Sequence, residues 1–259
     1  MRAWSLCVAS NDQAILQENL LASPGIDECE QVIVQEGFSS AAVAYNDALD
    51  RVATDIVVFA HQDVYLPHGW VKAFQLALDR LEEGDPKWAV AGAYGTSHAD
   101  PDAGLVYCVA NGRMMGRVSG NLRAVDTLDE LLLVVKKSSG LRFDQKIEGF
   151  HFYGTDICLE ARSRGLQSYA FEVFCIHNAE KTEILPWAFW KSYFYIQKKW
   201  RRQLPIATPC IRVTAGVMDP LKHWIKSLRI YLGPVTRAES RVQDPNVLAA
   251  RIQSHLLSK

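Results

Sequence analysis

Net charge is almost absent from this chain: 28 Lys and Arg stand against 29 Asp and Glu, a formal net charge of −1. No global basic field therefore draws it to nucleic acid. Long apolar runs are missing as well. Eighteen apolar residues never occur in succession, and the opening Met1-Arg2-Ala3-Trp4-Ser5-Leu6-Cys7-Val8 has neither a long apolar stretch nor a cleavage-like site, which speaks against a membrane-spanning helix and a secretory leader. The six cysteines (7, 29, 108, 158, 175 and 210) form no C-x-x-C pair, so they read as reduced, buried thiols of a cytoplasmic protein. Neither G-x-x-x-x-G-K-[ST], G-x-G-x-x-G, G-x-S-x-G nor H-E-x-x-H occurs, which disfavours P-loop, ordinary dinucleotide-binding, serine-hydrolase and zincin chemistry. There is no internal repeat and no low-complexity tract.

What is present is enough for a core. At 259 residues, 49% hydrophobic and 22% charged, the chain fits one large α/β unit. Leu6–Ala9, Gln31–Val34 and Asp55–Ala60 read as strands, alternating with helices over Asp12–Leu21 and Ser39–Val52 and a third after Pro67 that stops at Gly84; such alternation announces βαβ units. Trp88–Tyr94, Leu105–Val109, Leu131–Lys136 and Tyr169–Cys175 add strands, Asn111-Gly112 signals a type I′ hairpin, and Gly154–Arg164 reads as a helix closed by Gly165. The sheet is expected to be mixed. From Pro186 the composition turns aromatic and basic, which suggests a main domain over 1–185 and a C-terminal helical extension over 186–259.

Three stretches could carry chemistry. The strand Asp55–Ala60 runs straight into His61-Gln62-Asp63, and a carboxylate at a strand's C-terminal end lies where open α/β sheets bind ligands. Such a His and Asp could hold a hard divalent ion; equally, Asp63 could cap a turn with His61 packed beneath it. Asp156, on the first turn of the helix after the aromatic loop Gly149–Tyr153, could act as a general base or simply complement the helix dipole. His177 directly follows a strand and is a ligand or a structural histidine.

The ordered set of these motifs resembles a family: the GT-A fold nucleotide-sugar glycosyltransferases, specifically the family 2-like group whose metal motif reads His-Gln-Asp, similar to the StrF-type domains of streptomycin biosynthesis. The resemblance runs over roughly residues 3 to 180 and rests on Ala9-Ser10-Asn11, on the helix with Ala42, Ala44, Tyr45 and Asn46, and on His61-Gln62-Asp63 with Leu66-Pro67-His68-Gly69-Trp70. Downstream it rests on Val125-Asp126-Thr127-Leu128-Asp129 before the next strand, on Phe143-Asp144 through Gly154-Thr155-Asp156-Ile157-Cys158-Leu159, and on His177. His61 stands where many relatives have an acid, Thr155 replaces the first acid of an acid pair, and Glu36-Gly37 stands where relatives carry paired acids for the nucleotide.

The resemblance implies a GT-A-like single domain with a mixed, mostly parallel central sheet flanked by helices. It implies transfer of a sugar from a nucleotide-diphosphate sugar to the hydroxyl of a glycan or lipid-linked acceptor, by an inverting, divalent-metal-dependent reaction with Mn²⁺ or Mg²⁺. Asp156 would be the catalytic base, and Asp63, His177 and His61 the metal ligands. Ala9, Ser10, Asn11, Glu36, Asn46, Gln62, Asp126, Asp129 and Tyr153 would bind substrate. Trp70 reads as core, whereas the loop aromatics 150–153 could line the sugar site. The alternative is a catalytically silent GT-A-like module that binds glycan or nucleotide. The run Trp187–Arg202 places Phe189, Tyr193, Ile196 and Trp200 on one helix face as a core stripe; its other reading is a segment docked on anionic lipid at the inner face of the membrane.

Overall fold

The computed structural model describes residues 1–120, 122–180, 184–232 and 241–257; residues 233–240, within the stretch read as a helical extension, lie outside them. The first half contains β1 (Trp4–Ser10), α1 (Gln13–Glu18), β2 (Gln31–Glu36), α2 (Ala41–Arg51), β3 (Ile56–His61), β4 (Val64–Tyr65), α3 (Trp70–Gly84), β5 (Trp88–Gly92), β6 (Tyr94–Thr96), β7 (Ala103–Cys108) and β8 (Arg113–Arg117). There follow β9 (Arg123–Ala124), β10 (Thr127–Leu128), β11 (Leu132–Lys136), α4 (Tyr153–Ser163), β12 (Gln167–Ala170), β13 (Cys175–His177), α5 (Trp187–Lys199), α6 (Met218–Leu232) and α7 (Pro245–Leu257).

The main sheet has the order β2-β1-β3-β11-β5-β12-β9. β1, β2, β3, β5 and β12 run one way, and β11 and β9 the other. The sheet is thus mixed and mostly parallel, as expected. A smaller sheet, β10-β6-β7-β13-β4 with β8 on β7, stands beside it. Period-two alternation divides the central strands between two cores. Leu6, Val8, Val58 and Ala60 face α1 and α3, meeting Leu16, Trp70, Phe74 and Leu78. Cys7, Val57 and Phe59 face α2 and α4, meeting Tyr45, Ala48, Ile157 and Ala161. Burial on both faces is why these strands read as unbroken apolar runs. Ser40 caps α2 by accepting the Val43 N–H, and Trp70 is core, 2% exposed.

Three local expectations are corrected. The run Trp88–Tyr94 is split, since β5 ends at Gly92 in the main sheet and β6 starts at Tyr94 in the small one. Cys108 pairs with Arg113, so the hairpin is closed by Val109–Gly112 as a short 3-10 turn in which only Gly112 is left-handed (φ 61°). A type I′ turn needs positive φ at both central residues, and Asn111 does not adopt it. The run Tyr169–Cys175 is not one strand: β12 ends at Ala170 in the main sheet, and β13 starts at Cys175 in the small one. The cysteines are all free, but Cys29 is half-buried and Cys210 exposed. In the C-terminal part, Phe189, Tyr193 and Ile196 of α5 pack on Ile147, Phe152 and Leu159, while Leu248 and Ala249 of α7 pack on Tyr65, Phe174 and Ile176. No helix of the described residues is long and apolar enough to cross a membrane.

Phe74 is fully buried, stacked on Trp70 at 4.7 Å and edge-on to Trp4 at 5.7 Å. Phe74→Ala should therefore cost about 4 kcal/mol, read as a lower urea midpoint with an unchanged slope.

Candidate active site

Strand register brings the first group together. Ala9 lies opposite His61, and Ser10 opposite Glu36, so β1, β2 and β3 end at one edge. Gln62 then ties the loop after β1 to the loop after β3. Its side-chain oxygen accepts from Ser10 Oγ (2.8 Å), Asn11 N (3.0 Å) and Asp12 N (3.1 Å), while its amide donates to Asn11 Oδ1 (2.7 Å). A cavity of about 480 Å³ opens here, lined by Ala9, Ser10, Asn11, Gln35, His61, Asp63 and neighbouring groups including Phe38 and Phe150.

The second convergence comes from the small sheet. β13 pairs antiparallel with β4, placing His177 opposite Val64, and the Asn178 N–H donates to the Asp63 carbonyl at 2.8 Å. His177 Nε2 thereby reaches Asp63 Oδ1 at 3.5 Å. One ligand atom from each of His61, Asp63 and His177 lies within 4.8 Å of the others. β13 also runs parallel to β7 with His177 opposite Cys108, close enough for the thiol to act on the imidazole.

The charges follow from this packing. Burial opposes ionisation of Asp63, but the charge and hydrogen bond of His177 win and hold its carboxyl below the usual range. Burial would depress His177; the Asp63 charge and hydrogen bond, then Cys108, overcome it and push its pKa up to about 10. His61 goes the other way, lowered chiefly by burial, and is neutral. Its Nε2 lies 3.0 Å from Tyr153 Oη, which donates to the Glu130 carbonyl at 3.2 Å.

Other expected site residues are held by partners of their own. Asn46 is buried and clamps the Phe143 backbone, donating to its carbonyl (2.8 Å) and accepting its N–H (3.0 Å). Asp126 pairs with Arg162 (2.8 Å) and accepts the His98 N–H. Glu36 is exposed and accepts from Gln13; it is the preceding Gln35 that lines the cavity. Tyr153 is buried, 1% exposed, and supports His61 from behind. Asp129 accepts the Leu131 N–H and lies close enough for its charge to act on both His61 and His177.

Asp156 is held in a buried ion pair. It is 2% exposed, and neither it nor Glu130 lines the cavity. Lys199 Nζ reaches both its oxygens (2.8 and 2.9 Å), and Trp200 Nε1 donates to Oδ1 at 2.7 Å. Lys199 also holds Asp144 (2.8 Å), which accepts from Tyr195 Oη (2.7 Å). Asp156 therefore fastens α4 to the end of α5. Just ahead of it, Phe152 has φ 66°, a left-handed conformation costing a bulky residue about 1–3 kcal/mol. Phe189 at 4.9 Å and Tyr193 at 6.1 Å pin it there.

A carboxylate does stand at the start of α4, and it comes from another segment. Glu130 accepts the Gly154 N–H at 3.2 Å, occupying the helix end where Thr155 replaces an acid. Burial, reinforced by the Asp129 charge, pushes its pKa up to about 8. The only linear signal for Glu130 is its place beside Asp129; Cys108 and Lys199 carry none, because pairing and helix docking alone bring them in.

The profile of the glycosyltransferase-like family matches residues 6–189; the chain belongs to this family. A protein of Fuscovulum blasticum described as "ATP synthase subunits region ORF 6" is 31% identical over 169 residues, 62% of this chain and 66% of that protein; the chain thus spans somewhat less than two thirds of this relative. Among solved structures, the mannosyltransferase PcManGT of Pyrobaculum calidifontis, in complex with GDP-Man and Mn²⁺, is 11% identical at TM-score 0.47, over 88% of this chain and 65% of that one. Residues 1–349 of TarS from S. aureus, in complex with UDP, are 13% identical at TM-score 0.47, over 76% and 65%.

Since Asp156 is bound in a buried ion pair, Asp156→Asn should lower stability by about 3 kcal/mol, as breaking such pairs does, and leave nucleotide affinity unchanged. Denaturant unfolding and calorimetric nucleotide titration check both halves.

Proposed function

We propose that this chain transfers a glycosyl group from a nucleotide-diphosphate sugar to an acceptor hydroxyl, with inversion, at the cavity over β1, β2 and β3. The observation that carries the reading is the convergence of His61, Asp63 and His177 at the edge of a 480 Å³ cavity. The nucleotide lies against Ala9, Ser10, Asn11, Gln35 and Phe38, on a floor that Gln62 holds rigid. Its diphosphate points toward Asp63.

Two imidazoles and one carboxylate suit Mn²⁺ better than Mg²⁺, which prefers an all-oxygen shell. The fit is supported by His61, which burial keeps neutral and whose ring Tyr153 orients, as supporting hydrogen bonds do for metal-binding histidines. Such an ion supplies charge neutralisation for a departing diphosphate. His177 must give up its proton before acting as a ligand, so loading is favoured by rising pH.

Proton removal from the acceptor is assigned to Glu130. Burial raises both carboxyls, but the Asp156 oxygens are already taken by Lys199 and Trp200, whereas Glu130 accepts the Gly154 N–H at the start of α4. Tyr153 and Gly154 fix the carboxyl's surroundings from the helix, and Asp129 lies beside it to meet donor hydroxyls. A base with pKa near 8 operates close to neutral pH, where general-base catalysis gains most.

Turnover should be measured across a panel of nucleotide sugars with Mn²⁺. A raised carboxylate is protonated below its pKa, so kcat should climb as pH rises through about 8. Glu130→Gln should lower kcat by about 10²–10⁴-fold while donor affinity is kept. Full activity in that variant would remove Glu130 from the role. Nucleotide binding without transfer to any acceptor would favour the silent binding module.

A further inference from the structure

We propose that the exposed apolar face formed by α5 and α6 seats the protein on an anionic lipid bilayer. The inference stands on surface chemistry and is independent of which reaction the cavity performs. On α6, Leu221, Trp224, Ile225 and Leu228 recur at helical spacing, and Trp224 is 60% exposed. On α5, Trp187 is 70% exposed and Phe194 40%. Between the two helices runs an open groove of about 530 Å³, lined almost entirely by apolar side chains. Tryptophans on such a surface suit the boundary between headgroups and acyl chains, and a contiguous exposed apolar patch of this kind marks an interaction site.

Charge identifies the partner. From residue 184 to residue 228 the chain carries eight Lys and Arg and a single acid, Asp219; Lys191 is paired with Glu148 and Lys199 with Asp144 and Asp156, which still leaves the segment basic in a molecule that is balanced as a whole. Lys198, Arg201, Arg202 and Lys226 are exposed, and Lys222 lies 3.9 Å from Asp219 at the surface. A second copy presenting the same face would bring like charges together. A negatively charged bilayer instead satisfies the tryptophans and the lysines at once.

The seat is coupled to the cavity by short links. Phe189 of α5 packs on His151 at 5.3 Å and on Phe152, and Phe150 of the same loop lines the cavity. A bilayer held on this face therefore lies next to a loop that lines the cavity.

The test is co-sedimentation of the full chain with vesicles of about 30% phosphatidylglycerol in phosphatidylcholine, against phosphatidylcholine alone, with tryptophan emission followed in parallel. Partition should be at least about tenfold stronger on the anionic vesicles, blue-shift the emission and weaken with salt. Trp187→Ser with Trp224→Ser should abolish it while circular dichroism and nucleotide binding stay as in the parent. Lys222→Glu with Lys226→Glu should remove the preference for anionic lipid. Equal partition on both vesicles, an unaffected tryptophan variant, or a concentration-dependent dimer that this variant dissolves without any vesicle binding would each overturn the proposal.

Discussion

Two short strands hold the site together. β4 and β13 are only two and three residues long, yet their pairing sets His177 against Asp63 across more than a hundred residues of chain. Without it, β3 would end in a loop carrying His61 and Asp63 with no third group. The same register brings Cys108 to His177 from β7. The ion pair that results is self-consistent: Asp63 keeps His177 charged, and His177 keeps Asp63 ionised. In a half-buried setting such a pair is stable only because each partner compensates the other's desolvation.

A second network gives α5 its meaning. Lys199 and Trp200 at its C-terminal end seize Asp156, and Phe189 near its start pins the strained Phe152. The helix thus brackets the first turn of α4 from both ends. That turn presents Gly154 to Glu130 and Tyr153 to His61. The packing that forms the C-terminal extension also fixes the helix turn whose Tyr153 backs His61, so the extension and the site are physically one arrangement.

Much of this was legible in the linear chain where the physics is local. The buried parallel strands announced themselves as apolar runs, and α2, α3 and α4 as stripes with Ser40, Gly84 and Gly165 at their ends. His61-Gln62-Asp63 stood out because a strand ran directly into it. What remained hidden depends on long-range register. Asn46 reads as a ligand-binding amide, but its two bonds to Phe143 make it a clamp. Asp126 finds Arg162, and Asp156 finds Lys199, only after α4 and α5 dock. Glu130 takes the place at the start of α4 from a loop more than twenty residues upstream, a substitution no local pattern displays.

His61, Asp63 and His177 are proposed to act as one site against a diphosphate. A crystal structure of the full chain grown above neutral pH with Mn²⁺ and a nucleoside diphosphate, collected at the manganese absorption edge, tests it most directly. The expected result is a single strong anomalous peak bound by those three side chains, with the diphosphate beside it and the nucleoside over Ser10 and Gln35. Manganese bound elsewhere, or a nucleotide seated away from the ends of β1 and β3 with His177 still paired to Asp63, would contradict it.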